Sequence, residues 1–402
     1  MAHPTNSITA GVFGAACRDQ WPLDPEITYL NHGTVGVAPL ETLAIQDSIR
    51  REIESNPSAK LLREIAGMLG APRPGRLRRA ARRVAGFVGS KPDDLVFVGN
   101  ATEGVNAVLQ SFDLQPGDAV LTTEKTYGGV DRAVRYACRK AGAEVLVASV
   151  PCPIRSPAEV VAQIESALTS STRLAVLDHI ISETGVVLPA REMIEVCHQR
   201  GIRVLIDGAH APGQIQLDLD SLGADYYTAN LHKWACAPRS CGFLWVAPEQ
   251  QEAVHPPVIS WGLDEGFTEE FDWTGTRDTS AWLSAPAGFE FLERLGFEEV
   301  RRHNHDLLWA ATAMMCERWG TSSAAGRDLC AFMSSVQLPE RFSASDAAAQ
   351  RLRHALLVSH RIEVPAFAWR DRLWLRLSAQ VYNEYEEFER LAGVIDSLPD
   401  EL

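Results

Sequence analysis

The chain has 402 residues, 46% of them hydrophobic, and a formal net charge of −14. This length and apolar fraction support a large core split between a major and a minor domain, while the acidic balance argues against a nucleic-acid partner, whose phosphates recruit clustered Lys and Arg. Eight cysteines, at positions 17, 138, 152, 197, 236, 241, 316 and 330, lack the short paired spacings of a zinc or redox motif, so they read as reduced thiols of a cytoplasmic protein and no metal site is expected.

In chain order, the first residues, MAHPTNSITAGVFGAAC, carry no basic leader and only a short, interrupted apolar stretch. Neither a secretory signal nor a membrane span is expected there. The arginines of RPGRLRRAARRVAGFVG (73, 76, 78, 79, 82 and 83) interleave with Leu77, Ala80, Ala81, Val84, Ala85 and Val88. That spacing predicts an amphipathic helix with most arginines on its solvated face.

Seven β-rich runs follow: LVFVG (95–99), AVLTT (119–123), EVLVASV (144–150), RLAVLDHI (173–180), RVLIDGA (203–209), ADYYTAN (224–230) and CGFLWV (241–246). Several are continuously apolar, as strands covered on both faces must be. Between them, SPAEVVAQIESAL (156–168) opens with the helix-start signals Ser156, Pro157 and Glu159, and PAREMIEVCHQRG (189–201) closes on Gly201. The expectation is an α/β domain with a mostly parallel seven-stranded sheet flanked by helices. From about residue 285 the pattern changes to a helix in FEFLERLGF (289–297), a strand in RLWLRLSA (372–379) and a helix in EYEEFERLAGVIDSL (384–398). This predicts an N-terminal segment (1–35), a large domain (36–285) and a smaller α+β C-terminal domain (286–402).

Ligands of open parallel sheets bind at the carboxyl ends of strands, and polar residues gather there. Asn100, Thr102 and Glu103 follow the first run, and Tyr127 the second. Asp178, His179 and Ser182 follow the fourth, Asp207 and His210 the fifth, and Asn230, His232 and Lys233 the sixth. GNATEGVNAVLQSF (99–112) sets a small polar turn against a helix start, where free N–H groups can hold a phosphate or where Asn and Thr simply cap the helix. Asp207 closes an apolar run, so its carboxylate needs a cationic partner such as a protonated ring nitrogen, unless it only caps the next turn. Lys233, partly buried, would be a Schiff-base nucleophile and later a base, whereas an exposed lysine would be a surface charge. Together the three are the protein groups that pyridoxal 5′-phosphate requires.

DGAHAPGQIQLDLDSLGADYYTANLHKW, with YLNHGTVGVAPL near the start, TGTRD at 274–278 and LRLSAQVYN at 375–383, resembles the class V aminotransferases, fold-type I pyridoxal-phosphate enzymes, and within them the isopenicillin N epimerase-like branch. The resemblance implies that Lys233 carries the cofactor, Asp207 pairs with the pyridine nitrogen, His210 sits beside the phenolic oxygen and Tyr127 stacks on the ring. It places the phosphate on the Ala101 and Thr102 amides, Asn230, His232 and, from a second subunit of a homodimer, Thr276. Arg376 would bind the α-carboxylate of an amino-acid substrate, with Asn31, His32 and Gly33 bordering the pocket.

The resemblance implies an amino-acid epimerase or racemase, for which Tyr127 and His32 are candidate second acids. Carbon–sulfur lyases of the hercynylcysteine sulfoxide type and aminotransferases share the same early chemistry. Cysteine desulfurase chemistry is disfavoured because no cysteine follows Cys330. A binding protein that keeps the fold without catalysis is the alternative of another class. HPPVISWGLDEGF (255–267), with Trp261 and Phe267, is a candidate pocket wall or interface loop.

Overall fold

Twelve strands are found in the computed structural model, which describes residues 11–399. They are β1 (Thr28–Tyr29), β2 (Leu95–Val98), β3 (Ala119–Thr123), β4 (Glu144–Ala148), β5 (Thr172–Asp178), β6 (Arg203–Asp207), β7 (Tyr226–Asn230), β8 (Gly242–Val246), β9 (Met333–Gln337), β10 (Ile362–Glu363), β11 (Ala366–Trp369) and β12 (Arg372–Ser378). β2 to β8 coincide with the seven predicted runs and form one sheet in the order β2-β8-β7-β6-β5-β3-β4. β8 runs antiparallel to both β2 and β7, and the pairings from β7 through β4 are parallel.

The continuous apolar runs follow from this geometry. Successive side chains of a strand point to opposite faces, and here both faces are covered. Val120, Leu174, Val176, Leu205 and Leu244 pack on one side with Val105 and Val108 of the helix Ala101–Ser111 and Val130 and Val134 of the helix Gly128–Ala141. Leu121, Ala175, Leu177, Val204, Ile206 and Phe243 pack on the other with Leu77, Val84, Met193 and Phe289. Chain order reverses where β5 returns to the far side of β3 from β4. This is the switch point at which the carboxyl ends of an open sheet diverge and leave room for a ligand.

A second, antiparallel sheet, β11-β12-β9, packs with the helices Phe297–Trp319, Asp346–His360 and Tyr385–Ser397 around Leu308, Leu352, Leu375 and Phe388. β1 pairs in parallel with β10 and so ties the N-terminal segment to this part of the chain. Residues 1–10 of that segment lie outside the described residues. Among the described residues no helix is long and apolar enough to cross a membrane.

Three local readings change. The arginine-rich helix Arg76–Val88 buries the expected stripe, and Arg73, Arg76 and Arg83 pair with Glu269, Glu52 and Glu290. Arg78 instead turns inward, donating to the Leu95 carbonyl and Asp272 at 3.1 and 3.2 Å, because the start of β2 presents a carbonyl there. Ser156 occupies the N-cap without a side-chain bond, and the Arg155 N–H is taken by Glu159 at 3.1 Å. The helix expected from residue 289 starts at Ser280 and runs through Pro286, since burying Trp282, Ala285 and Phe289 offsets the lost N–H, a cost of about 3 kcal/mol.

Candidate active site

Asp207 ends β6 and is 3% exposed. Its Oδ1 accepts the Ala209 N–H at 2.9 Å, so the turn-capping role and a buried carboxylate coexist. Burial raises its pKa, which the Ala209 N–H and the Lys233 charge pull back. β5 places Asp178 in register beside it.

Lys233 follows β7 in a tight loop that other backbone segments clamp. A Cβ on Gly36 would lie 2.0 Å from the His232 carbonyl oxygen, and one on Gly213 would lie 2.3 Å from that of Trp234. Both glycines also have positive φ, at +68° and +93°, so no other residue type fits either position without moving the loop.

The half-buried Lys233 amine sits 3.0 Å from His210 Nε2. The Trp234 indole N–H donates to His210 Nδ1 at 3.4 Å. With Nδ1 an acceptor, the neutral ring carries its proton on Nε2 and directs it at the amine and at Ser182 Oγ, 3.3 Å away. Burial, with Lys233, Arg376 and His232 adding to it, keeps His210 well below the usual imidazole range. Desolvation, reinforced by Arg376 and opposed by Asp207, lowers Lys233 to about 7. A hydrogen bond from His210 to the amine lone pair favours the neutral form further. The lysine is therefore a nucleophile near neutral pH.

At the N-terminus of the helix Ala101–Ser111, Asn100 caps the Glu103 N–H at 3.0 Å. The Ala101 N–H, expected to meet phosphate, instead donates to Asn230 Oδ1 at 2.8 Å. Asn230 is long enough to reach the helix end and takes that donor for itself. Thr102, with its amide and hydroxyl, stands between these two satisfied groups. His232 Nδ1 donates to the Cys241 carbonyl at 2.8 Å, and burial lowers its pKa to about 4. Thr276 is itself exposed and lies between the helices Phe267–Asp272 and Ser280–Leu295, next to Arg277, which approaches Glu103 within 3.9 Å. Tyr127 heads the helix Gly128–Ala141 with its side chain half-exposed.

Arg376 on β12 is 5% exposed. It donates to the Ser182 carbonyl at 2.7 Å, Asn31 Oδ1 at 2.9 Å and Thr34 Oγ1 at 2.6 Å, while Nε has no partner. These partners are all neutral, so the guanidinium remains available to an anion. Burial lowers its pKa to about 10. Asn31, expected to border the pocket, orients Arg376 and itself donates to Glu363 at 3.0 Å.

His32 differs from expectation. It is fully buried, Nδ1 accepts the Tyr382 hydroxyl at 2.9 Å, and Nε2 donates to the Lys233 carbonyl at 3.0 Å. Desolvation holds its pKa at about 4. With both nitrogens committed, it braces the Lys233 loop and has no proton to exchange with a substrate. Thr34 and Tyr382 carry no signal of their own in the sequence. Trp234, adjacent to the lysine, carries a local signal there.

The residues fit pyridoxal phosphate. A neutral amine, a buried carboxylate suited to a protonated ring nitrogen, an imidazole N–H beside the amine and a polar helix start converge on one sheet edge.

Comparison with known proteins agrees. The family model described as Aminotransferase class-V matches residues 74–391. Isopenicillin N epimerase of Amycolatopsis lactamdurans is 34% identical over 405 residues, covering 96% of this chain and 98% of that protein. Putative L-cysteine desulfhydrase 1 of Oryza sativa subsp. japonica is 32% identical, covering 92% and 83%. The apo cysteine desulfurase of Thermococcus onnurineus NA1 superposes with a TM-score of 0.78 at 20% identity, covering 96% and 97%, a likeness of fold. The chain belongs to the class V aminotransferase family.

Proposed function

We propose that the protein is a pyridoxal-phosphate-dependent carbon–sulfur lyase that releases sulfur from the β-carbon of a cysteine-like L-amino acid. The carrying observation is that one of the two candidate second acids is committed to the fold, while the base and its imidazole neighbour are in place. Lys233 and His210 lie 3.0 Å apart, while His32, the expected opposite acid, has both nitrogens committed. β-Elimination needs one base at Cα, whereas inversion needs a second acid on the other face. The desulfhydrase relatives support the same reading.

When bound, pyridoxal phosphate supplies the sink for charge developing at Cα. Arg376 binds the substrate carboxylate, Lys233 removes the Cα proton, and Asp207 holds the proton on the ring nitrogen. The sulfur leaves as thiol or sulfide with its bonding electrons, and hydrolysis of the remaining fragment yields pyruvate and ammonia. Cys330 is the last cysteine, and burial raises its pKa to about 11, so a persulfide-forming thiolate is disfavoured. Arg376→Lys keeps the charge but loses the two-pronged fork, which is expected to cut kcat/KM roughly 10- to 100-fold, mostly through KM.

The protein is further proposed to act as a homodimer, the partner subunit's Thr276 completing the phosphate site. The exposure of Thr276, and of Trp261 at 85%, supports this. Epimerisation is the second reading, favoured by the exposed Tyr127 phenol and the epimerase relatives. Incubation with L-cysteine and other L-amino acids in D2O, followed by assays for sulfide, pyruvate and chirality, separates the two. Equimolar sulfide and pyruvate support the lyase. A D-amino acid carrying deuterium at Cα overturns it in favour of the epimerase, and protein without a visible cofactor band overturns both.

A further inference from the structure

Asp178 and Asp207 end adjacent parallel strands in register, 2% and 3% exposed respectively. In-register residues of neighbouring parallel strands project to the same side, with backbones about 4.8 Å apart. Two carboxylates are thus stacked at the buried sheet edge. Asp178 Oδ2 has no hydrogen-bond partner.

The groups facing the pair come from every neighbouring element. From the turn after β3, the Thr126 hydroxyl and the Tyr127 N–H favour the Asp178 anion. Lys233, after β7, favours the Asp207 anion. Tyr227 of β7 is in register with Ile206 and so projects to the other face of the sheet, where its hydroxyl and His179 Nδ1 share a hydrogen bond at 2.9 Å, and burial keeps His179 uncharged near neutral pH, at about 4. Thr228 lies in register on the other side of Asp207. The one cationic side chain among these groups is Lys233, and it acts on Asp207. Two like charges this close, with one orphaned oxygen, do not both ionise.

We infer that Asp178 is the proton-holding partner of Asp207, the pair keeping one proton on Asp178 so that Asp207 is the anion presented to the cofactor's ring nitrogen. This rests on the pyridoxal-phosphate reading above. Asp178 touches neither substrate nor cofactor in this role and is a positioning residue. It sets the charge of Asp207, because a second ionised carboxylate would make the pair compete for the same proton. Burial raises the proton affinity of Asp178 well above the ordinary carboxylate range, as this requires.

The sign of the pH dependence follows. A carboxyl group whose folded pKa is raised stabilises the fold, relative to higher pH, below its unfolded value, and that contribution is lost as pH rises toward the folded value. In the cofactor-free protein, Asp178→Asn removes this loss. Its Tm should exceed that of the wild type at pH 7 to 8, and the advantage should shrink as pH falls toward about 4, where a model aspartate is itself half protonated.

The direct test is infrared spectroscopy of the cofactor-loaded protein at neutral pH. The wild type should show the C=O stretch of a buried protonated carboxyl group, shifted in D2O. Asp178→Asn should lose that band while retaining the visible cofactor band, and Asp207→Asn should keep the infrared band. A wild type lacking the infrared band, a band lost in Asp207→Asn but kept in Asp178→Asn, or a cofactor-free Asp178→Asn less stable than wild type at neutral pH would overturn the assignment. If wild type binds no pyridoxal phosphate, the cofactor reading fails, and the infrared band of the cofactor-free protein still decides where the proton resides.

Discussion

Replacing Lys233 with alanine is expected to abolish the covalent cofactor band and to reduce turnover by on the order of a thousandfold, the loss typical when a positioned base is removed. The residual affinity for pyridoxal phosphate would come from Asp207, Thr102 and His232, so dialysis should strip the variant far faster than the wild type. The same change has a readout independent of catalysis. Desolvation lowers Lys233 to about 7 from the ordinary 10.5, so the folded protein binds fewer protons here than the unfolded chain. Stability of the cofactor-free wild type should therefore rise with pH between those values, as the unfolded chain gives up its proton. Lys233→Ala should flatten that rise and should be the more stable protein below pH 7. Thermal melts across pH 6 to 11 check it. A slope unchanged by the substitution would mean that the lysine is solvated and ordinary.

Much of this site could be read from residue type and position alone, for a definite reason. A carboxylate closing the apolar run RVLI and a lysine after ADYYTAN belong at strand ends, because the interior of a strand covered on both faces disfavours a charged side chain. The β-rich runs, several of them continuously apolar, also marked all seven strands of the central sheet. What could not be read were contacts between distant segments. His32 looks like a pocket acid until Tyr382, 350 residues later, is placed against one nitrogen and the Lys233 carbonyl against the other. Asn230 looks like a phosphate ligand until it is seen taking the Ala101 N–H. Arg78 looks solvated until the start of β2 offers it a carbonyl. In each case a polar atom found a protein partner that no local pattern announces. The register of β5 against β6 belongs to the same class: Asp178 and Asp207 are each legible, and their stacking is not.

Asp207→Asn should separate the binding and electronic roles of that carboxylate, because the amide keeps the shape and can still accept the Ala209 N–H. Without the anion, the ring nitrogen loses the group that holds its proton, and charge developing at Cα loses its sink. Turnover is expected to fall by roughly 100- to 1000-fold, comparable to removing a preorganised electrostatic contact in other active sites. Cofactor affinity should weaken by about 1.5 to 3 kcal/mol, the usual worth of a hydrogen bond to a charged group. Stability should move the other way. Burial raises the Asp207 pKa in the fold, so the wild-type side chain contributes most below pH 3.8 and loses that contribution as pH rises. The cofactor-free Asn variant should therefore melt higher than the wild type at neutral pH and converge with it toward pH 4. A cofactor analogue with a permanently charged ring nitrogen gives the sharper check, because it should restore turnover to Asp207→Asn but not to Lys233→Ala. Failure of that rescue would mean that Asp207 acts on the cofactor's placement and not on its charge, and the buried carboxylate would then be a cap whose ionisation is incidental.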